Sequence, residues 1–263
     1  MRRYTKKDIF VLLGCVAFLL MNLSSIGNRG RERAKIIVCQ TNLKQFGHAQ
    51  NMYLDDNDDR YPHAWISLVK TETPVAGYER YCRWHDPRYP ADGPLRPYLT
   101  IEKVILCPTF NSLATSQGNR HPAHDPSIPI VPYYSHTMNA YLGSKRGDPY
   151  GSAQSSNRLG GVYKRSEITR SKSEVFFFAE ENMWMRPGNT NVLNDNALCP
   201  DGRDWFGTFH KTSIDLNAGT ANAVFVDGHV EEVLSALGPG GQDRGMEFGQ
   251  FEKYGWPNKE QYR

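Results

Sequence analysis

The sequence predicts an α+β fold: a long N-terminal helix, membrane-spanning then amphipathic, packed on an antiparallel β-sheet with long irregular loops. Three observations predict it. Proline is absent from the first 61 residues of 263. An apolar run near the N-terminus passes into a stretch whose apolar residues recur every three or four positions. The short strand-like runs all come late and do not alternate with helices, which disfavours a parallel α/β sheet.

The N-terminal element comes first. "IFVLLGCVAFLLMNL", residues 9–23, and the four residues after it approach the roughly 18–20 apolar residues that cross a bilayer. Basic residues bracket it: Arg2, Arg3, Lys6 and Lys7 before, Arg29, Arg31, Arg33 and Lys35 after. No small-x-small cleavage site follows, so a cleaved secretory signal fits poorly. A lipoprotein signal at Cys15 also fits poorly, because the chain stays apolar beyond it. An uncleaved or barely trimmed anchor over residues 1–30 is the expectation, with single-pass topology and the bulk of the chain outside the cytoplasmic membrane. Charge does not fix the direction, since both flanks are positive.

An amphipathic helix over residues 31–60 is expected to continue the anchor. Ile36, Cys39, Leu43, Phe46, Ala49 and Tyr53 recur at the period of one helical face, while Lys35, Gln40, Lys44, Gln45 and Gln50 suit solvent. The helix should stop at "LDDNDDRYP", where Pro62 follows. Asp55, Asn57 and Asp59 have the opening spacing of a calcium loop. Arg60 and Ile66 stand where an EF-hand needs glycine and glutamate, so an EF-hand is rejected. A solvated turn is the default there and a looser calcium site the alternative; no other cofactor is expected.

Residues 61–263 form the expected globular domain. Residues 65–132 read as irregular, "YSHTMNAYLG" as a strand and turn, and "SEVFFFAEE" as a buried strand. Residues 182–207 read as a long loop, "NAVFVDGHVEEV" as a two-stranded hairpin, and the segment after Gly238 as a cover for one face. Asp227-Gly228 signals a two-residue type I′ turn, with His229 starting the return strand and His210 packing against the hairpin. His121 and His124 lie in a proline-rich surface loop.

The five cysteines show no C-x-x-C pair and no metal framework. One disulfide among Cys82, Cys107 and Cys199 is an alternative in an oxidising compartment. No G-x-S-x-G, H-E-x-x-H or phosphate-binding glycine loop occurs. Glu180 and Glu181 are neighbours on a strand and point to opposite faces. A hydrolase built on His210, Asp227 and His229 is therefore the weakest reading, and no catalytic residue is assigned. The basic excess brackets the apolar run and forms no patch on the domain, which argues against nucleic acid as a partner.

The order of these features resembles type IV pilin-like proteins, in particular bacterial pseudopilin-like proteins related to type II secretion subunits. "CQTNLKQFGHAQNMYLDDNDDRYP" carries the likeness through Cys39, Asn42, Leu43, Lys44 and Gln45. Cys107-Pro108, "YSHTMNAYLG", and His210 with Asp227-Gly228 and His229 extend it over most of the chain. The resemblance implies a membrane-anchored structural or assembly subunit of a secretion or pilus-type system. Its partners would be membrane lipid and other pilin-like subunits met through the N-terminal helix. Sixteen residues separate His210 from Asp227, more than the family pattern has. The glycine at the usual processing site and the glutamate of the early mature chain are both missing. An anchored extracytoplasmic module that takes calcium or a glycan through its tryptophans and tyrosines is the alternative function.

Overall fold

The computed structural model describes residues 6–70, 83–86, 89, 92–117, 128–144, 161–183, 193, 195–199, 204–212, 217–235 and 251–258. Of residues 8, 20–26, 28–29 and 251–252 it describes the backbone alone. Cys82, His121, His124 and residues 238–250 lie outside this set.

One helix, α1, runs unbroken over Lys6–Asp56, including Gly27 and Gly30. At about 1.5 Å per residue its 51 residues reach roughly 75 Å. Cys39, Leu43, Phe46 and Ala49 are fully buried, as the periodicity predicts. Other positions depart from it, with Ile36 and Gln40 both half-buried. Gln50 is buried rather than solvated, and its Nε2 donates to the Val226 carbonyl at 2.8 Å. Leu54 carries the apolar face onward, while Tyr53 is half-buried. Among the described residues, no helix is long and apolar enough to cross a membrane; residues 20–26 of the expected anchor fall where only the backbone is described.

The acidic run that ends α1 is explained by backbone conformation. Asp58 and Asp59 adopt positive φ (54° and 61°), the left-handed region that Asp and Asn tolerate better than most residues. The Asp59 N–H then donates to the Leu54 carbonyl at 2.9 Å and closes the helix. Asn57 Nδ2 donates back to the Tyr53 carbonyl. Asp59 pairs with Arg165 at 3.0 Å and accepts from the Ser166 N–H. Asp56 accepts from the Tyr98 hydroxyl. Protein partners thus occupy Asn57 and Asp59, two of the three residues with calcium-like spacing.

A second helix, α2, spans Pro108–Gln117 in the region read as irregular. The Cys-Pro pair reads as a turn, yet proline is also favoured at the first position of a helix, where its missing N–H is not needed. Five strands follow: β1 (His136–Asn139), β2 (Phe176–Glu180), β3 (Ala197–Leu198), β4 (Thr220–Phe225) and β5 (Val230–Leu234). The sheet order is β3-β1-β2-β4-β5. All pairs are antiparallel except β1 with β3, so the expected antiparallel sheet is in fact mixed. The chain leaves β2 and returns beside β1 from that same end, and β3 therefore runs parallel to β1. With two residues, β3 is too short to show as a strand within residues 182–207.

A bulge between Phe176 and Phe178 sets the faces of β2. Phe177 and Phe178 join the main core with Leu43 and Phe46, and Phe46 and Phe178 lie 4.5 Å apart. Phe176 and Ala179 turn to a second cluster with Phe206, Phe225 and Tyr254. Tyr254 belongs to a short C-terminal helix, α3 (Phe251–Gly255), and meets the Phe225 ring edge-on. The sheet is thus covered on one face by α1 and on the other by the C-terminal segment.

The β4–β5 turn differs from the expected type I′. Positive φ occurs at Gly228 (86°) and not at Asp227. The Gly228 N–H donates to the Phe225 carbonyl, and the Phe225 N–H to the His229 carbonyl. Val226, Asp227 and Gly228 thus form a three-residue loop with a left-handed glycine, the second common hairpin solution. Its tip rests on α1: a side chain at Gly47 would meet the Gly228 Cα at 3.2 Å, and Lys44 Nζ donates to the Gly228 carbonyl at 2.6 Å.

Two glycines give a graded expectation. A Cβ at Gly228 would meet nothing within 4 Å, so Gly228→Ala should cost only the positive-φ penalty, about 1 kcal/mol. A Cβ at Gly219 would fall 1.8 Å from the Thr208 carbonyl oxygen, so Gly219→Ala should cost clearly more. Urea unfolding of both variants checks the order, and equal losses contradict it.

Candidate metal centre

Beneath α1, four segments distant in sequence bring ionisable side chains to one point. Cys39 comes from the buried face of α1. Cys107 immediately precedes α2, where the positive end of the helix dipole favours a thiolate. Glu180 ends β2, and its side chain points toward α1. His210 pairs through its backbone with Thr220 at the start of β4. The ligand atoms of these four residues all lie within 4.8 Å of one another, and all four residues are buried.

Glu180 is the hub. Cys39 Sγ donates to its Oε1. His210 Nε2 lies 2.8 Å from the same oxygen and 3.6 Å from Cys107 Sγ. The second oxygen, Oε2, accepts from the Asn222 backbone N–H at 2.7 Å and from Asn222 Nδ2 at 3.2 Å. Asn222 is in turn held by Gln40 Nε2 of α1. His136 completes the surroundings: its Nδ1 lies 3.1 Å from the Ile105 carbonyl, and its Nε2 lies 3.6 Å from Cys39 Sγ. Ser135 Oγ accepts from the Cys107 N–H, which fixes the Cys-Pro turn against β1.

The electrostatics follow from burial and proximity. Burial disfavours ionisation of Glu180, but His210, His136 and Cys39 outweigh it and hold the carboxyl at about 2. Burial likewise opposes a charge on His210, yet the Glu180 carboxylate and Cys107 hold the imidazole up at about 10. His210 Nε2 and Glu180 Oε1 thus face each other at 2.8 Å, both buried. Burial, Cys107 and Glu180 push the Cys39 thiol well above its ordinary range. Burial also pushes Cys107 upward, but its hydrogen bonds with Cys39 and His210 bring it below the usual thiol value. Burial keeps His136 low and neutral despite Glu180. One atom is left over, since His210 Nδ1 is buried with no hydrogen-bond partner.

The residues singled out from the sequence separate into two groups. Cys39 and His210 meet at the cluster. His210 is a hydrogen-bonding partner of the Asp-Gly hairpin through its backbone, which pairs with Thr220 of β4, while its side chain turns to Glu180. Asn42 Nδ2 donates to the Leu106 carbonyl beside Cys107 at 3.3 Å, and Leu43 fills the core. Lys44 holds the Gly228 turn, and Gln45 is exposed. Asp227 accepts from the His229 N–H and from His229 Nδ1, and the His229 ring stacks on Phe225. Asp227 and His229 are therefore a local turn pair, away from the buried cluster. Cys107 is a free thiol and takes part in no disulfide. Cys39 and Cys107, which show no metal-binding spacing in sequence, stand together with Glu180 and His210 in a group that could hold a metal ion. No spacing rule reaches this set, whose members lie tens of residues apart. Each member stands in a feature legible in the sequence (Cys39 on the buried helical face, Cys107 before Pro108, Glu180 on a strand, His210 before the hairpin), but nothing in the sequence joins them.

Replacing Glu180 by Gln removes the charge that balances His210. Losing one partner of a buried pair costs about 3–5 kcal/mol. Glu180→Gln should therefore lower stability by that order in chemical denaturation, and a loss under about 1 kcal/mol would sink the assignment of Glu180 as the hub. The chain matches no family model, no curated protein and no solved structure.

Proposed function

We propose that the chain is a membrane-anchored, pilin-like structural or assembly subunit whose domain lies outside the cytoplasmic membrane. The observation that carries this reading is the division of α1. Its later part buries one face against the sheet. Its early part leaves Ile9, Phe10, Val11, Leu12, Leu13, Phe18 and Leu19 exposed, Phe10 at 78%. A contiguous apolar surface of this kind marks an interaction site on a folded chain. Lipid or the equivalent helices of other subunits would cover it. The basic residues on both flanks suit headgroups.

The domain half of α1 supports the same reading. Ile37 and Val38 are exposed on its outer side (56% and 47%), beside the charged Glu32–Lys35 pair. A neighbouring helix packed along α1 would cover them. The resemblance noted for the Cys39–Pro62 stretch points to this assembly mode. The missing early glutamate argues for a subunit that does not polymerise as long pili do.

In cells, the full-length chain should stay with membranes washed in alkaline carbonate, and Leu12→Arg with Leu19→Arg should shift it to the soluble fraction. Release of the wild-type chain by the wash contradicts the anchor.

A further inference from the structure

We propose that Cys39, Cys107, Glu180 and His210 bind one Zn2+ ion in a closed, tetrahedral, structural site that ties the N-terminal helix to the domain. The donor set carries the first part of the argument. Two thiolates, an imidazole and a carboxylate are zinc ligands, and four protein ligands with no open position mark a structural site rather than a catalytic one. Calcium and magnesium require six or more oxygen ligands, whereas Glu180 supplies the one oxygen donor of this set.

Geometry carries the second part. Zinc bonds of roughly 2.0–2.3 Å place tetrahedral ligand atoms about 3.3–3.8 Å apart. His210 Nε2 and Cys107 Sγ are separated by 3.6 Å, and the whole set fits within 4.8 Å; Glu180 Oε1 lies closer than that range to His210 Nε2, at 2.8 Å, and to Cys39 Sγ, so it would draw back from both to admit the ion. Glu180 is prepared to act through one oxygen. Asn222 holds Oε2 with two N–H donors, which leaves Oε1 facing both His210 and Cys39. Supports of this kind around the ligands orient them and tune affinity. The Cys107 backbone is likewise fixed by Ser135.

Chemistry carries the third. Binding displaces the protons of the Cys39 and Cys107 thiols and of His210 Nε2, while Glu180 binds as the carboxylate it already is; three protons leave and no electron moves. His210 Nδ1 is buried and reaches no hydrogen-bond partner, so the ring's one polar contact point within the cluster is Nε2, the atom offered to the ion. Because the ligands come from α1, the residue before α2, β2 and the segment before β4, the ion would cross-link elements that the chain alone joins only through long connections. The inference does not depend on what the apolar half of α1 binds.

The test uses the full-length chain purified in detergent. Elemental analysis should find one zinc per chain. Chelator-stripped protein reloaded with Co(II) should show the visible bands of a tetrahedral ion and a thiolate-to-cobalt charge-transfer band. Cys39→Ser and Cys107→Ser should each weaken that charge-transfer band. Asn222→Ala leaves every ligand in place and should weaken zinc binding about 10–100-fold. If the serine variants do not fold, the wild-type cobalt spectrum decides alone. A folded wild-type chain that holds no zinc and gives no thiolate–cobalt band overturns the proposal. So does a Cys39–Cys107 disulfide, seen as a loss of two hydrogens in the non-reduced mass.

Discussion

A carboxylate cut off from water has to be compensated from every side, and at Glu180 this requirement draws four parts of the chain to one place. Its two oxygens receive the Cys39 thiol from α1, the His210 imidazole from the segment before β4, and two N–H groups of Asn222 on β4. No one of these contacts is strong enough to set the fold. Together they leave little freedom in how α1 crosses the sheet, because a shift of α1 along its axis would strand a charge in a low-dielectric interior, at a cost of several kcal/mol. The apolar core of Leu43, Phe46 and Phe178 supplies the driving force for docking; the polar cluster fixes its register.

The motif on α1 then has a mechanical explanation. Within "CQTNLKQ", about two turns of helix, three side chains reach three different parts of the domain. Cys39 enters the cluster, Asn42 holds the Leu106 carbonyl before the Cys-Pro turn, and Lys44 caps the Asp-Gly turn through the Gly228 carbonyl. Gly47 lets that turn approach the helix backbone. The helix is therefore a spine to which the irregular parts of the domain are fastened one by one. Such fastening resists peeling of the helix from the sheet, which suits the anchored subunit proposed above.

What could be read beforehand was whatever depends on neighbours in sequence. The period of Cys39, Leu43, Phe46 and Ala49 exposes the buried face of α1, and the run Val175–Phe178 exposes β2. Gln50 reads as solvated in the sequence because nothing local distinguishes a buried amide from an exposed one; its acceptor, the Val226 carbonyl, is 176 residues away. Helix α2 hid behind Pro108, whose two roles, turn former and helix starter, share one residue pattern. Asp227-Gly228 announced a hairpin but not its loop length, which the conformation of Asp227 decides. The cluster itself was illegible: Cys39, Cys107, Glu180 and His210 meet only through the packing of α1 on the sheet, and burial turns four ordinary side chains into one electrostatic unit.

The central claim is that this unit is a metal centre rather than a bare ion pair. Zinc X-ray absorption spectroscopy on the purified full-length chain addresses it most directly, because it counts and identifies the atoms around the ion. A zinc ion held by this set has two sulfur scatterers at about 2.3 Å and two nitrogen or oxygen scatterers at about 2.0–2.1 Å. A first shell of nitrogen and oxygen without sulfur would contradict that claim.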